Sequence, residues 1–253
     1  MDTPAKLPHV NIGTILLEPA RWARPKQATY AVAEWADRFA SAGFDGMELW
    51  ENHADGDALA SDFPVAVYNT YCGCEDDDAE GRAVALRNIR ACNAGAVKFN
   101  VGGEESRSGE YARNLKAWVA DLPRDCRPLC ECHGGTIVET PDEARAFFDG
   151  VDIDCGIITH AFAEPEDRLR DWLRLFGAQM QLVHVQLRND DGVFLRLDEV
   201  ADHARKRMDT LGAAGFSGPY TLEFTKGTST DADAPDQLWR EALVDLAFLR
   251  EHA

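Results

Sequence analysis

Four stretches in the second half of the chain decide the fold: Pro128-Leu-Cys-Glu-Cys-His133, Cys155-Gly-Ile-Ile-Thr-His160, Gln181-Leu-Val-His-Val-Gln-Leu-Arg188 and Pro219-Tyr-Thr-Leu-Glu-Phe-Thr-Lys226. Each is a short apolar run with Glu, His or Gln at its carboxyl end, and a helix-like segment follows each. A single strand-end Glu is more often a solvated or salt-bridged residue than a ligand. Four in succession describe one site assembled from four strands. A parallel barrel builds such a site, because its chemistry lies at the C-terminal ends of its strands.

Further strand-like runs lie at His9–Leu17, Asp45–Trp50, Pro64–Thr70 and Ala96–Val101, before those at Arg127–His133, Ile153–Thr159, Gln181–Leu187 and Pro219–Thr225. Several are continuously apolar, as in strands buried on both faces. Helical patterns fall between them, over Pro25–Ala42, Asp78–Cys92, Ser108–Leu122, Pro141–Phe148, Glu164–Phe176, Leu197–Ala214 and Ala234–His252. Only the second helix, Asp55–Ala60, is weak. Thr140-Pro-Asp-Glu143 reads as a helix start, and Gly43 and Gly215 as helix stops. Strict alternation argues a parallel α/β fold. No Gly-rich GxGxxG or Walker turn supports a doubly wound open sheet. The 253 residues suit one (β/α)8 TIM barrel in a single domain, which takes about 250.

The formal net charge of −18 argues against nucleic acid, whose phosphates call for clustered Lys and Arg, and against anionic membrane surfaces. The polar start, Met1 to His9, has no apolar core of a signal peptide, and no apolar stretch of about 18 residues exists to span a membrane. The seven cysteines, at 72, 74, 92, 126, 130, 132 and 155, are odd in number and lack metal or redox spacing. They read as buried thiols of a reduced, cytoplasmic protein.

Alternation puts Glu131 with His133 on one strand face, His184 with Gln186 and Arg188 on another, and Thr221 with Glu223 and Thr225 on a third. His160 ends the sixth strand. Converging carboxylates, imidazoles and an amide suit Mn²⁺, Mg²⁺, Co²⁺ or Zn²⁺, and lack the thiolates of structural zinc. Glu48, Trp50 and His53 end the second strand and line the expected mouth, and Lys98 and Asn100 lie on the fourth strand. Arg188 and Lys226 are candidates for holding an anionic substrate group.

Gly43-Phe-Asp-Gly-Met-Glu-Leu-Trp50, Glu131-Cys-His-Gly-Gly135, His184-Val-Gln186 and Gly218-Pro-Tyr-Thr-Leu-Glu-Phe-Thr-Lys-Gly227 resemble the xylose isomerase-like TIM barrel superfamily, which holds sugar phosphate isomerases and epimerases and also AP endonucleases. The resemblance implies a divalent metal on four residues of the last four strands, usually Glu, Asp, His and Glu. Here these are Glu131, His160, Gln186 and Glu223. His160 departs from the usual Asp, which makes the site less negative and favours Mn²⁺ over Mg²⁺. Gln186 is similar to the glutamine of hydroxypyruvate isomerases and some dehydroshikimate dehydratases, without the Pro-Gly-Arg segment of the former. Glu131 and Glu223 are then both ligands and proton carriers, acting alpha to a carbonyl through an enediolate. His133, His184, Arg188, Lys226, Glu48 and Trp50 are left to contact substrate.

The implied activity is a metal-dependent isomerase or epimerase of a small sugar or hydroxy-keto acid. Its first rival is a dehydratase or lyase on the same scaffold, acting on inosose-like, dehydroshikimate-like or 3-keto glycoside substrates. An AP endonuclease is weaker, since that branch uses three metals, many histidines and a basic surface. A non-catalytic sugar-binding barrel is the outside reading, motivated by His160. Related barrels are often dimers or tetramers, so a homo-oligomer is in keeping with the resemblance, although the sequence carries no interface signature.

Overall fold

The computed structural model describes residues 7–252. Eight strands alternate with eight helices: β1 Val10–Gly13, α1 Ala36–Ala42, β2 Gly46–Trp50, α2 Gly56–Leu59, β3 Val65–Asn69, α3 Ala79–Cys92, β4 Ala96–Phe99, α4 Ser108–Ala120, β5 Arg127–Glu131, α5 Pro141–Val151, β6 Gly156–Thr159, α6 Glu166–Phe176, β7 Met180–Val185, α7 Ala201–Ala213, β8 Tyr220–Leu222 and α8 Pro235–His252. Each strand pairs in parallel with the next, and β8 pairs with β1 to close the barrel. The TIM barrel read from the sequence is the observed fold.

The pleat separates two cores. Outward residues such as Val97, Phe99, Cys130, Ile157 and Val183 pack under the helices, against Leu115, Trp118, Leu169, Trp172 and Leu211. Inward residues Val67, Ala96, Leu129, Ile158 and Leu182 form a small apolar floor inside the barrel. Two residues further along those same strands stand Asn69, Lys98, Glu131, His160 and His184. With a side-chain period of 2, each of these points inward one layer above the floor. The barrel interior therefore changes from hydrocarbon to charge within one step along the strands.

Cys130 and Cys132 face outward, as alternation around Glu131 demands, and all seven cysteines are free thiols. Thr140 forms a complete capping box with Glu143, and Gly43 ends α1 at a φ of 90°, a conformation that favours glycine. Among the described residues no helix is long and apolar enough to cross a membrane.

Two elements differ from the sequence reading. The expected strand His9–Leu17 stops at Gly13, and Thr14–Leu17 turns into a 3-10 helix. The buried Arg21 guanidinium takes the carbonyls of Ile15 and Leu16 at 2.9 and 2.8 Å, which draws them off the ladder. The expected helix Pro25–Ala42 is helical in α form only from Ala36. Upstream, the Glu18 carboxylate accepts both the Thr29 amide and hydroxyl at 2.7 Å, and the Tyr30 hydroxyl donates to the Thr14 carbonyl at 2.5 Å. These tertiary bonds outweigh local helix propensity.

Candidate metal centre

The charged layer converges on Glu131, at the end of β5. Its two oxygens face different surroundings. Oε1 lies 2.9 Å from His184 Nδ1 and 3.1 Å from His160 Nε2. Oε2 lies 2.7 Å from the Lys98 ammonium and accepts from Asn100 Nδ2 at 3.1 Å. Glu223, just past β8, completes the group: its Oε2 is 3.4 Å from His160 Nε2 and 3.5 Å from His184 Nδ1, and accepts from Gln186 Nε2 at 2.9 Å. One ligand atom from each of Glu131, His160, His184 and Glu223 lies within 4.8 Å of all the others.

His184 is oriented from behind. Its Nε2 bonds Glu48 Oε2 at 3.0 Å, and Asn69 in turn donates to Glu48 Oε1 at 2.7 Å. A carboxylate that holds one imidazole nitrogen presents the other as a metal-facing lone pair. His160 is different. Its Nε2 is buried and lies near two carboxylates, yet it aligns a hydrogen bond on neither. A buried imidazole nitrogen that lies near two carboxylates without a hydrogen bond of its own fits a cation between them. Two carboxylate oxygens and two imidazole nitrogens also suit a first-row divalent ion. The residues present therefore fit the divalent metal that the sequence resemblance implies.

The electrostatics match. Burial opposes ionisation of Glu131, but the Lys98 ammonium first, and then His160 and His184, hold its carboxyl well below the usual range. Burial also opposes charge on His160, and Glu131 and Glu223 outweigh it and push the imidazole up to about 9. His184 is raised well above an ordinary histidine, with Glu48 and Glu223 outweighing its burial. Both imidazoles are thus pushed toward their cationic forms by the carboxylates around them.

The remaining sequence candidates divide. His133 stands at the mouth, its side chain 38% exposed, with Nε2 2.9 Å from Asn100 Nδ2. Gln186 meets the cluster through Glu223. Glu48 is buried behind His184. Arg188 is exposed, its guanidinium 4.1 Å over the Phe194 ring, with no carboxylate partner among the described residues. Lys226 is paired with Glu199 instead. Trp50 is fully buried against Ile15, Phe194 and Phe224, and His53 belongs to a separate network with Glu18 and Thr14. Neither Trp50 nor His53 offers a ring to the mouth. Tyr71, which covers Lys98 with its ring centroid 4.0 Å from the ammonium, carries no sequence signal, since it lies in a loop beyond β3.

No protein-family model and no curated protein matches the chain. Solved structures do. A probable 3-DHS dehydratase, AsbF, involved in petrobactin synthesis from Bacillus anthracis is 13% identical, with 94% of this chain and 98% of that one covered and a TM-score of 0.66. The shared fold is the closed eight-stranded TIM barrel. A xylose isomerase-like TIM barrel protein from Mycobacterium smegmatis in complex with magnesium is 11% identical over 98% and 100% of the two chains, at a TM-score of 0.59. A D-tagatose 3-epimerase-like protein is 11% identical over 95% and 97%, at 0.61. Endonuclease IV from Thermus thermophilus shares the fold as well. At such identities the likeness is one of fold, and a fold that hosts a dehydratase, an epimerase-like protein and a nuclease does not choose among them.

Proposed function

We propose that this protein is a divalent-metal-dependent isomerase or epimerase that moves a proton alpha to the carbonyl of a small sugar or hydroxy-keto acid. The observation that carries the reading is the convergence of two carboxylates and two imidazoles at the ends of β5 to β8, one layer above an apolar floor. Glu131, His160, His184 and Glu223 would hold the ion, with Gln186 beside Glu223 as the further candidate ligand. Two imidazoles favour Mn²⁺, with Co²⁺ or Zn²⁺ next, over the oxygen-loving Mg²⁺. When bound, the ion polarises the substrate carbonyl and so acidifies the neighbouring C–H.

The chain's own residues divide the proton work. Both oxygens of Glu131 are engaged, by Lys98 and Asn100 on one side and by the imidazoles on the other. Glu223 accepts one hydrogen bond, from Gln186, and none among the described residues reaches its Oε1. Glu223 is therefore the proton carrier, and Glu131 is the anchored ligand. His133 and the unpaired Arg188 at the mouth orient the rest of the substrate. A dehydratase is the second reading, favoured by the AsbF likeness. It uses the same proton abstraction and then expels a β-hydroxyl.

The test is solvent exchange. In D₂O with Mn²⁺, the protein should place deuterium alpha to the carbonyl of a ketohexose, dihydroxyacetone or hydroxypyruvate. Glu223→Gln should slow this by about 10²–10⁴-fold, the range for losing a general base. Exchange with loss of water would select the dehydratase. Exchange that proceeds equally in Glu223→Gln would remove Glu223 from the mechanism.

A further inference from the structure

Lys98 is fully buried in the barrel interior, beside the carboxylate that the metal reading needs most. An ammonium has three N–H donors. One meets Glu131 Oε2 at 2.7 Å, one meets Asn100 Oδ1 at 2.7 Å, and the Tyr71 ring covers the ammonium at 4.0 Å. Asn100 then closes the loop, donating to both Glu131 Oε2 and the Glu131 carbonyl. The ammonium is thus committed to the protein on every side. With no exposed surface, it has no approach to a substrate either as a donor or as a nucleophile.

We propose that Lys98 is a fixed internal cation that confines Glu131 to one metal-facing oxygen and sets the charge, and so the metal preference, of the site. The inference rests on the metal reading above. Without Lys98, Glu131 could offer both oxygens, and Glu131 and Glu223, with Glu48 behind His184, would surround the site with no fixed positive charge among them. Such a site would be more anionic and richer in oxygen, and would bind divalent ions more tightly, Mg²⁺ most of all. With Lys98 the site trades affinity for a Glu131 of one geometry and for a bias toward ions that accept imidazole. Lys98 is a positioning residue, acting through Glu131.

The test compares direct metal binding, by titration calorimetry and by Mn²⁺ electron paramagnetic resonance, in the parent, Lys98→Gln, Lys98→Met and Lys98→Arg. Lys98→Gln keeps a hydrogen-bond donor for Glu131, so it serves where Lys98→Met does not fold. Removing a unit charge so close by should tighten Mn²⁺ binding by about tenfold or more, the Coulombic scale for a site of intermediate dielectric. The Mg²⁺ gain should exceed the Mn²⁺ gain, and Lys98→Arg should stay within a few-fold of the parent. A parent that binds metal while the neutral variants bind it equally or more weakly overturns this proposal alone. A parent that binds no divalent ion overturns it together with the metal reading, and makes Lys98 the site's only cation besides its histidines.

Discussion

Glu131→Ala should lower the stability of the metal-free protein by about 3–5 kcal/mol, the usual cost of removing one partner from a buried ion pair. For a chain of this size that is a fall of about 10 °C or more in melting temperature. The reason is Lys98, which has no exposed surface and would keep only Asn100 and Tyr71 as partners. Adding Lys98→Met to Glu131→Ala should recover much of the loss, because the pair is then replaced rather than broken. Glu223→Ala should cost the metal-free protein less, since the hydrogen-bond donor it leaves is the neutral amide of Gln186. Thermal melts of the parent and these three variants in EDTA check this. Equal losses for Glu131→Ala and Glu223→Ala would contradict an anchored Glu131 beside a freer Glu223.

The second large effect is on pH. A histidine whose folded pKa exceeds its unfolded value of about 6.5 holds its proton more tightly in the folded state. His160, raised to about 9, therefore stabilises the metal-free protein fully below pH 6.5, and that stability is lost as pH rises through 9. The term is on the order of 3 kcal/mol for a shift of that size. His184 is raised in the same direction and deepens the loss. Metal-free melts between pH 6 and 9.5 should fall by about 10 °C. Metal reverses the sign, because coordination needs the neutral imidazole. Binding should strengthen with pH over the same window and release about two protons per ion at pH 7.5. Metal-free stability that is flat from pH 6.5 to 9 would show that the imidazoles carry no such protons.

Much of this site was legible before the structure because a barrel strand has a period of 2. Once Glu131 faces inward, His133 follows on the same strand, and Cys130 and Cys132 are sent outward. What alternation could not supply was depth. Trp50 and Glu48 end the same strand, yet Glu48 supports His184 and Trp50 is sealed behind Phe194 and Phe224. His184 and Gln186 share a face, and only the three-dimensional register puts His184 among the ligand atoms and Gln186 against Glu223. The segment after β1 departs from its strand-like sequence for a related reason. Its apolar run has the composition of a strand, and the Arg21 contacts that draw its carbonyls aside come from a residue outside the run.

The proposed function requires that two carboxylates and two imidazoles at the ends of β5 to β8 bind one divalent ion. The most direct measurement is the melting temperature of EDTA-treated protein as Mn²⁺ is added, for the parent and for Glu223→Ala. Binding to the native state alone must stabilise it by mass action, about 2.7 kcal/mol at a hundredfold excess over Kd. For this chain that is a rise of about 5–10 °C in the parent and little or none in the variant. A parent whose melting temperature ignores Mn²⁺, Co²⁺, Zn²⁺ and Mg²⁺ alike, or a variant that responds as the parent does, would contradict it.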